Sequence, residues 1–164
     1  MGLFTPDIYH VDVHSIDLSL LKEQGIEVLL IDLDNTLLPR DKDDIPDELR
    51  AWAHALADQG FKVCLVSNNW HEKVQRVAGE LDMELVAKAI KPLPFAFLRA
   101  LGKIGASRKH AAVVGDQLFT DVLGGSLLGM TTILVSPLSA SDLPHTLFLR
   151  HLEARILAGR KPLP

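Results

Sequence analysis

Glu27-Val28-Leu29-Leu30-Ile31-Asp32-Leu33-Asp34-Asn35-Thr36 is an apolar run that breaks abruptly into carboxylates and polar side chains. It follows Gly25, a turn signal, and it lacks the strict alternation of a half-wet strand. Such a run fits a strand buried on both faces, the kind found in parallel sheets. Similar runs recur at Phe61-Lys62-Val63-Cys64-Leu65-Val66, Ala111-Ala112-Val113-Val114 and Thr131-Thr132-Ile133-Leu134-Val135, with a weaker one at Glu84-Leu85-Val86-Ala87. Helical spacing fills the intervals. Leu49, Trp52, Ala53 and Leu56 stand at i, i+3, i+4 and i+7, with Asp47 as the expected cap and Gly60 as the stop. Val74, Val77 and Leu81 mark a second helix, and Phe95, Leu98 and Leu101 a third. Strands alternating with helices over short connections predict an α/β fold with a parallel sheet covered on both sides.

In open sheets of this type ligands bind beyond the carboxyl ends of the strands. The unusual polar residues fall there: Asp32-Leu33-Asp34-Asn35-Thr36 after the first strand, Ser67-Asn68-Asn69 after the second, and Gly115-Asp116-Gln117 after the fourth. Lys91 follows the weak third strand by a few positions. All of them converge on one edge of the expected sheet.

Bulk composition is that of an ordinary globular domain. The chain has 164 residues, 48% apolar and 23% charged, so one domain over 1–164 is expected. No stretch of about 18 apolar residues is present to span a membrane, and no charged segment followed by an apolar one suggests a secretory leader. The single cysteine, Cys64, excludes internal disulfides and points to a reducing cytoplasm. A net charge of −4 argues against nucleic acid as a partner. Twelve of the 21 acidic residues, but four of the 17 basic ones, lie in the first 50 positions, which reads as a solvated acidic surface.

Two carboxylates one residue apart at a strand end, with a third on another strand, are hard oxygen donors of the sort that hold Mg2+ together with water and substrate phosphate. A lysine and a serine nearby supply hydrogen bonds to phosphoryl oxygens. Metal, anion clamp and carboxylate nucleophile together describe phosphoryl transfer through an aspartyl-phosphate.

Those residues also carry a resemblance. Asp32-Leu33-Asp34-Asn35-Thr36-Leu37 resembles the first motif of the haloacid dehalogenase (HAD) phosphatases. Ser67, Lys91 and Gly115-Asp116-Gln117-Leu118-Phe119-Thr120-Asp121 resemble the second, third and fourth motifs, in order. Pro6, Tyr9, Ser67-Asn68-Asn69, Lys91-Pro92, Gly124-Gly125 and Thr132-Ile133-Leu134-Val135 extend the likeness to YqeG-type members of subfamily IIIA, from about Pro6 to Ile156. One position departs: Leu149 stands where that pattern has Asn before Arg150.

The resemblance implies a Rossmannoid three-layer sandwich with about five parallel strands and minimal or no cap. It further implies that Asp32 attacks phosphorus and binds Mg2+, and that Asp34 is general acid and then base while its carbonyl binds the metal. Ser67, Asn68 and Lys91 would hold or orient the phosphate, Asp116 would ligate Mg2+, and Asp121 would ligate or support it. The short intervals from Asp34 to Ser67 and from Ser67 to Lys91 leave no room for a lid domain, so an open site is expected. YqeG-like relatives include phosphatidylglycerophosphate phosphatases, which implies a phospholipid headgroup as substrate. A phosphoprotein, a nucleic-acid end, a sugar phosphate or a nucleotide are the alternatives.

Blander readings exist for most of these residues. Ser67 reads equally as a helix cap, Lys91 as a solvated loop lysine, and Asp121 as a helix-terminal charge. Cys64 reads as inert core. Asp41, Asp43 and Asp44 read as solvated, in a segment from Pro39 to Pro46 that would form a small flap. His10 and His14 have i, i+4 spacing, but Val11-Asp12-Val13 alternates like a strand and would separate the rings. Leu147, Phe148, Leu149, Leu152 and Ile156 interleave with Arg150, Arg155, Arg160 and Lys161. That pattern is either a terminal helix packed on the sheet or a basic helix making peripheral contact with an anionic membrane at the inner face. A receiver-type signalling module also uses a phosphorylated aspartate, a hydroxyl and a lysine, but has no need of an acid/base two residues after the nucleophile.

Overall fold

The computed structural model describes residues 2–164. In chain order the elements are β1 (Ile8–His10), α1 (Leu18–Glu23), β2 (Val28–Ile31), α2 (Asp47–Asp58), β3 (Lys62–Val66), α3 (Glu72–Glu80), β4 (Glu84–Val86), α4 (Pro94–Lys103), β5 (Ala111–Gly115), α5 (Leu123–Leu127), β6 (Thr131–Val135) and α6 (Pro144–Ile156). A π turn over Leu118–Val122 runs directly into α5. The six strands are all parallel, in the order β1-β6-β5-β2-β3-β4.

The double-sided burial read from the sequence explains the layers. Leu29, Ile31, Leu65 and Val114 face one core with Leu49, Trp52 and Leu56 of α2 and Val74 and Val77 of α3. Val28, Leu30, Cys64 and Val113 face the other with Ala96, Phe97, Ala100 and Leu101 of α4. Residues of opposite parity on one strand thus feed opposite cores, as the two-residue repeat of a strand requires.

Five of the strands are the expected ones, and β1 is the addition. It pairs with β6 from Ile8↔Ile133 to His10↔Val135. Three residues beside a loop carry too little periodicity to announce a strand. The chain terminus covers its outer edge, where Val11 N donates to Leu163 O and Leu163 N to Tyr9 O, which blunts an otherwise open sheet edge.

Four local expectations are corrected. Val11–Val13 is not a strand: Asp12 accepts from Ser15 N and starts a 3-10 turn at Val13–Ser15, leaving His10 at the end of β1 and His14 edge-on to Trp52. Asp47 is not the α2 cap; Pro46 holds that position, and Asp47 and Glu48 sit in the first turn, where the helix dipole favours acids. Ser67 does not cap α3, whose N-cap is His71. The α4 face is also turned. Small Ala96 and Ala100 let the helix approach the sheet beside Phe97, while Phe95 and Leu98 remain exposed. Phe97 in turn fills the space that a side chain at Gly124 of α5 would need.

Candidate active site

The chain visits β2, β3 and β4 toward one sheet edge and then returns to β5 and β6 on the other side of β2. This places the reversal of strand order at the carboxyl end of β2, the usual ligand crevice. Ile31 is in register with Leu65 and with Val114, so the residues that follow β2, β3 and β5 emerge together. They line a cleft of about 710 Å³ that includes Asp32, Asp34, Ser67, Asn68 and Lys91.

The turn after β2 is fixed by its own side chains. Asn35 takes a left-handed backbone, φ 61°, which asparagine tolerates better than most residues. Its carbonyl oxygen accepts from Arg40 N and Ser139 Oγ, and its amide donates to Ser141 O at 3.0 Å. Thr36 is fully buried, and its hydroxyl lies 3.2 Å from both Asp32 Oδ2 and Asp116 Oδ1. One proton serves two carboxylates, so the hydroxyl holds both in place but satisfies one at a time.

Carboxylate oxygens of Asp32, Asp116 and Asp121 lie within 4.8 Å of one another. Lys91 Nζ reaches two of the three, at 2.7 Å from Asp32 Oδ1 and 2.7 Å from Asp121 Oδ1. The π turn delivers Asp121, and Gly115 makes room for it, since any Cβ at position 115 would meet the Asp121 carboxylate. Arg150 of α6 closes the far side. It pairs with the Asp116 carboxylate, donates to the Asp116 carbonyl, and binds Asp142 Oδ2 at 3.1 Å and Glu153 Oε2 at 3.2 Å. Glu153 Oε1 accepts from Leu118 N, so α6 and the π turn are stapled together.

Asp34 stands outside this cluster, and Asn69 Nδ2 donates to its Oδ2 at 2.6 Å. Ser67 Oγ accepts from Asn69 N at 3.1 Å, which leaves its own proton for a ligand oxygen. Asn68 Oδ1 accepts from Lys91 N at 2.7 Å, so the loops after β3 and β4 are tied together. Every site residue expected from sequence therefore borders one cleft or the buried cluster behind it. The sequence pattern alone does not mark Thr36, Asn69 and Arg150 as site residues. The first two lie inside the motifs quoted above, whereas Arg150 belongs to the interleaved apolar and basic pattern of α6, which leaves its direction open. In the structure Arg150 turns inward and Arg160 donates to Pro6 O, while Leu147, Phe148, Arg155 and Ile156 stay exposed.

Three buried carboxylates crowd two cations, and their titration reflects it. Burial pulls the Lys91 ammonium down, but the Asp121 and Asp32 charges outweigh this and hold it above its ordinary value. Burial pushes Asp121 up to about 6, with Lys91 opposing and Asp32 adding to the rise. Burial likewise carries Asp116 well above the usual carboxylate range, reinforced by Asp32 and opposed by Arg150. Between an unfolded value of 3.8 and about 6, the folded protein holds a proton on Asp121 that the unfolded chain has lost. The stability linked to that proton is present below the window and is lost as pH rises through it. In chelator, the melting temperature should therefore fall between about pH 4 and about pH 6, and Asp121→Asn should flatten the fall. A divalent ion replacing the proton should restore stability at the higher pH.

Three clustered carboxylates supply hard oxygens that fit a divalent cation, and Asp32, Asp116 and Asp121 are the residues that would hold it. An all-parallel α/β sheet with this carboxylate–lysine–serine cleft defines a HAD-type phosphohydrolase. Family models agree in two segments: one described as haloacid dehalogenase-like hydrolase matches residues 29–90, and one described as HAD-hydrolase-like matches 89–137. The probable phosphatase YqeG of Bacillus subtilis is 38% identical over 96% of this chain and 92% of its own length. The chain belongs to the HAD-like hydrolases, as a phosphatase of the YqeG type. The chloroplastic/mitochondrial phosphatidylglycerophosphate phosphatase 1 of Arabidopsis thaliana is 25% identical over 96% of the chain, which spans 50% of that protein. Among solved structures, a HAD phosphatase from Thermococcus onnurineus aligns over 71% of this chain and 59% of its own at 25% identity, TM-score 0.51. The cobalt-bound deoxy-D-mannose-octulosonate 8-phosphate phosphatase of Haemophilus influenzae aligns over 83% and 90% at 13% identity, TM-score 0.55, a likeness of fold.

Proposed function

We propose that the chain is a Mg2+-dependent phosphomonoesterase that forms an aspartyl-phosphate on Asp32 and acts on phosphatidylglycerophosphate. The observation that carries this reading is the position of Lys91, 2.7 Å from both Asp32 and Asp121 beside a third carboxylate, with Asp34 held apart by Asn69. Asp32 is the nucleophile. Ser67, Asn68 and Lys91 engage the phosphoryl oxygens, and Lys91 offsets the negative charge that gathers as phosphate approaches Asp32. Asp34 gives a proton to the leaving oxygen and then takes one from the water that hydrolyses the aspartyl-phosphate. Asp32, Asp116 and the Asp34 carbonyl would hold Mg2+, with Asp121 as further ligand or support; when bound, the ion neutralises charge and orients the phosphate.

Arg150 belongs to this machinery as the residue that fixes Asp116. Removing such an outer partner commonly weakens metal binding about 10–100-fold. Arg150→Met is therefore expected to weaken Mg2+ or Mn2+ affinity by that factor in calorimetric titrations, with Arg150→Lys recovering part of it.

The substrate assignment rests on two kinds of support: the absence of a lid domain between β2 and β4, and similarity to proteins named for phosphatidylglycerophosphate. On this reading the enzyme works in the cytoplasm, at the inner face of the membrane. The test is phosphate release from phosphatidylglycerophosphate in mixed micelles, against phosphosugars, nucleotides and phosphopeptides, with Mg2+ and with chelator. Metal-dependent, multiple-turnover hydrolysis with preference for the lipid is expected. A single stable phosphoryl group without turnover would support the receiver-type reading instead, and preference for a soluble phosphate would refute the lipid.

A further inference from the structure

Large apolar side chains stand in solvent around the mouth of the catalytic cleft. Trp70 is 55% exposed, Ile90 60%, and Leu93 and Leu143 are also exposed. Trp70 and Leu143 line the cleft itself, from opposite sides of the sheet edge. Ile90 and Leu93 lie in the loop after β4, which is bound to the Trp70 loop by Lys88 N to Asn69 O, Ala89 N to Ser67 O and Lys91 N to Asn68 Oδ1. Trp70, Ile90 and Leu93 thus stand on loops joined by the hydrogen bonds that position Lys91, and Leu143 completes the rim from the segment before α6.

Ile90 is the informative residue. Its backbone is left-handed, φ 57°, a conformation that a β-branched side chain rarely adopts, and its side chain is left in water. Glycine or asparagine would relieve the strain and suit the exposure better. Backbone strain beside a reactive group marks a position kept for function.

Cationic and amphipathic groups accompany the apolar ones. Lys88 Nζ lies 5.3 Å from the centre of the Trp70 ring, His71 stacks on the same ring, and Arg40 and His145 line the cleft. Lys73, which also lines the cleft, binds Pro39 O and pairs with Asp43, and Arg76 binds Asp43 O, while Asp41, Asp43 and Asp44 stay exposed. Tryptophan and aliphatic side chains flanked by lysine and histidine match a lipid–water boundary, where rings and stems bury while charged tips meet phosphates. Whatever covers this rim must also pass a phosphate through it to Ser67 and Lys91. We infer that the rim formed by Trp70, Ile90, Leu93 and Leu143 docks on the surface of an anionic phospholipid bilayer. The inference rests on the lipid-phosphate reading of the site and names the surface that meets the membrane.

Tryptophan fluorescence tests it directly, because Trp52 is buried in the core and Trp70 is the exposed one of the two. The wild-type protein is titrated with vesicles of phosphatidylglycerol and phosphatidylcholine in equal parts. A blue shift of Trp70 emission with co-sedimentation is expected. Ile90→Asn/Leu93→Ser keeps the reporter, relieves the left-handed strain and offers a better helix cap before α4. Its vesicle affinity should fall about tenfold or more through lost apolar burial, while hydrolysis of a soluble aryl phosphate stays within about twofold of wild type. An unchanged emission spectrum with vesicles, or equal vesicle affinity in the double variant, would overturn the docking surface. Protein that fails to dock yet hydrolyses micellar phosphatidylglycerophosphate leaves the substrate assignment standing without this surface. Protein that docks through these residues but leaves the lipid phosphate intact supports the surface and refutes the substrate.

Discussion

Asp32→Asn is expected to bring phosphatase turnover to background, a loss on the order of 10⁴–10⁶-fold as for other nucleophile removals. The amide is nearly isosteric and still accepts from the Thr36 hydroxyl, so the turn after β2 survives. What disappears is the attacking oxygen and one of the three charges around the metal position. Asp32 is among the groups that raise both Asp116 and Asp121, so its neutralisation relieves repulsion in a buried cluster. The metal-free variant should therefore melt at or above the wild-type temperature while being inactive. A steady-state assay beside a melting curve separates this outcome from simple unfolding, and an active Asp32→Asn enzyme would remove the nucleophile assignment.

The second large effect is at Asp34, where loss of general acid–base assistance costs about 10²–10⁴-fold. Asp34→Asn should depend on the leaving group in a way that a structural defect would not. An alkyl phosphate needs the departing oxygen protonated, so formation of the aspartyl-phosphate slows. The aryloxide of an activated aryl phosphate departs without help, so the first step proceeds and hydrolysis of the aspartyl-phosphate becomes limiting. Quenched samples of Asp34→Asn with an aryl phosphate should then hold phosphorylated protein, whereas wild-type samples hold little. Asn69 grips the Asp34 side chain from the loop after β3, so Asn69→Ala should move turnover in the same direction by a smaller factor.

The fold was legible because its deciding features are local. Runs such as Val28–Ile31 and Ala111–Gly115 are apolar on every residue, and that pattern survives only between two layers. The nucleophile edge was legible for the same reason: carboxylates directly after such runs are pinned to the strand ends by the chain itself. Legibility ended where contacts are made at long range or where one pattern has two solutions. Arg150 meets Asp116 across 34 positions, and nothing in the helix periodicity distinguishes an inward arginine from a solvated one. The spacing of Phe95, Leu98 and Leu101 is helical, yet the sheet took the face with Ala96 and Ala100 because small residues allow closer approach. β1 exists because β6 offers an edge, a fact absent from its own three residues. Ile90 carried no signal at all, since its left-handed backbone is imposed by the Lys88–Lys91 hydrogen bonds to the neighbouring loop.

At the centre stands the claim that Asp32, Asp116 and Asp121 gather around one divalent ion with Asp32 also facing phosphorus. A crystal structure grown with Mg2+ and beryllium fluoride, which mimics a phosphoryl group on a carboxylate, reads both halves at once. The expected density is a single ion touching the Asp32 and Asp116 carboxylates, and trifluoroberyllate bonded to the other Asp32 oxygen with Ser67 and Lys91 against its fluorines. An ion seated without Asp32, or beryllium fluoride attached to a different side chain, would contradict it.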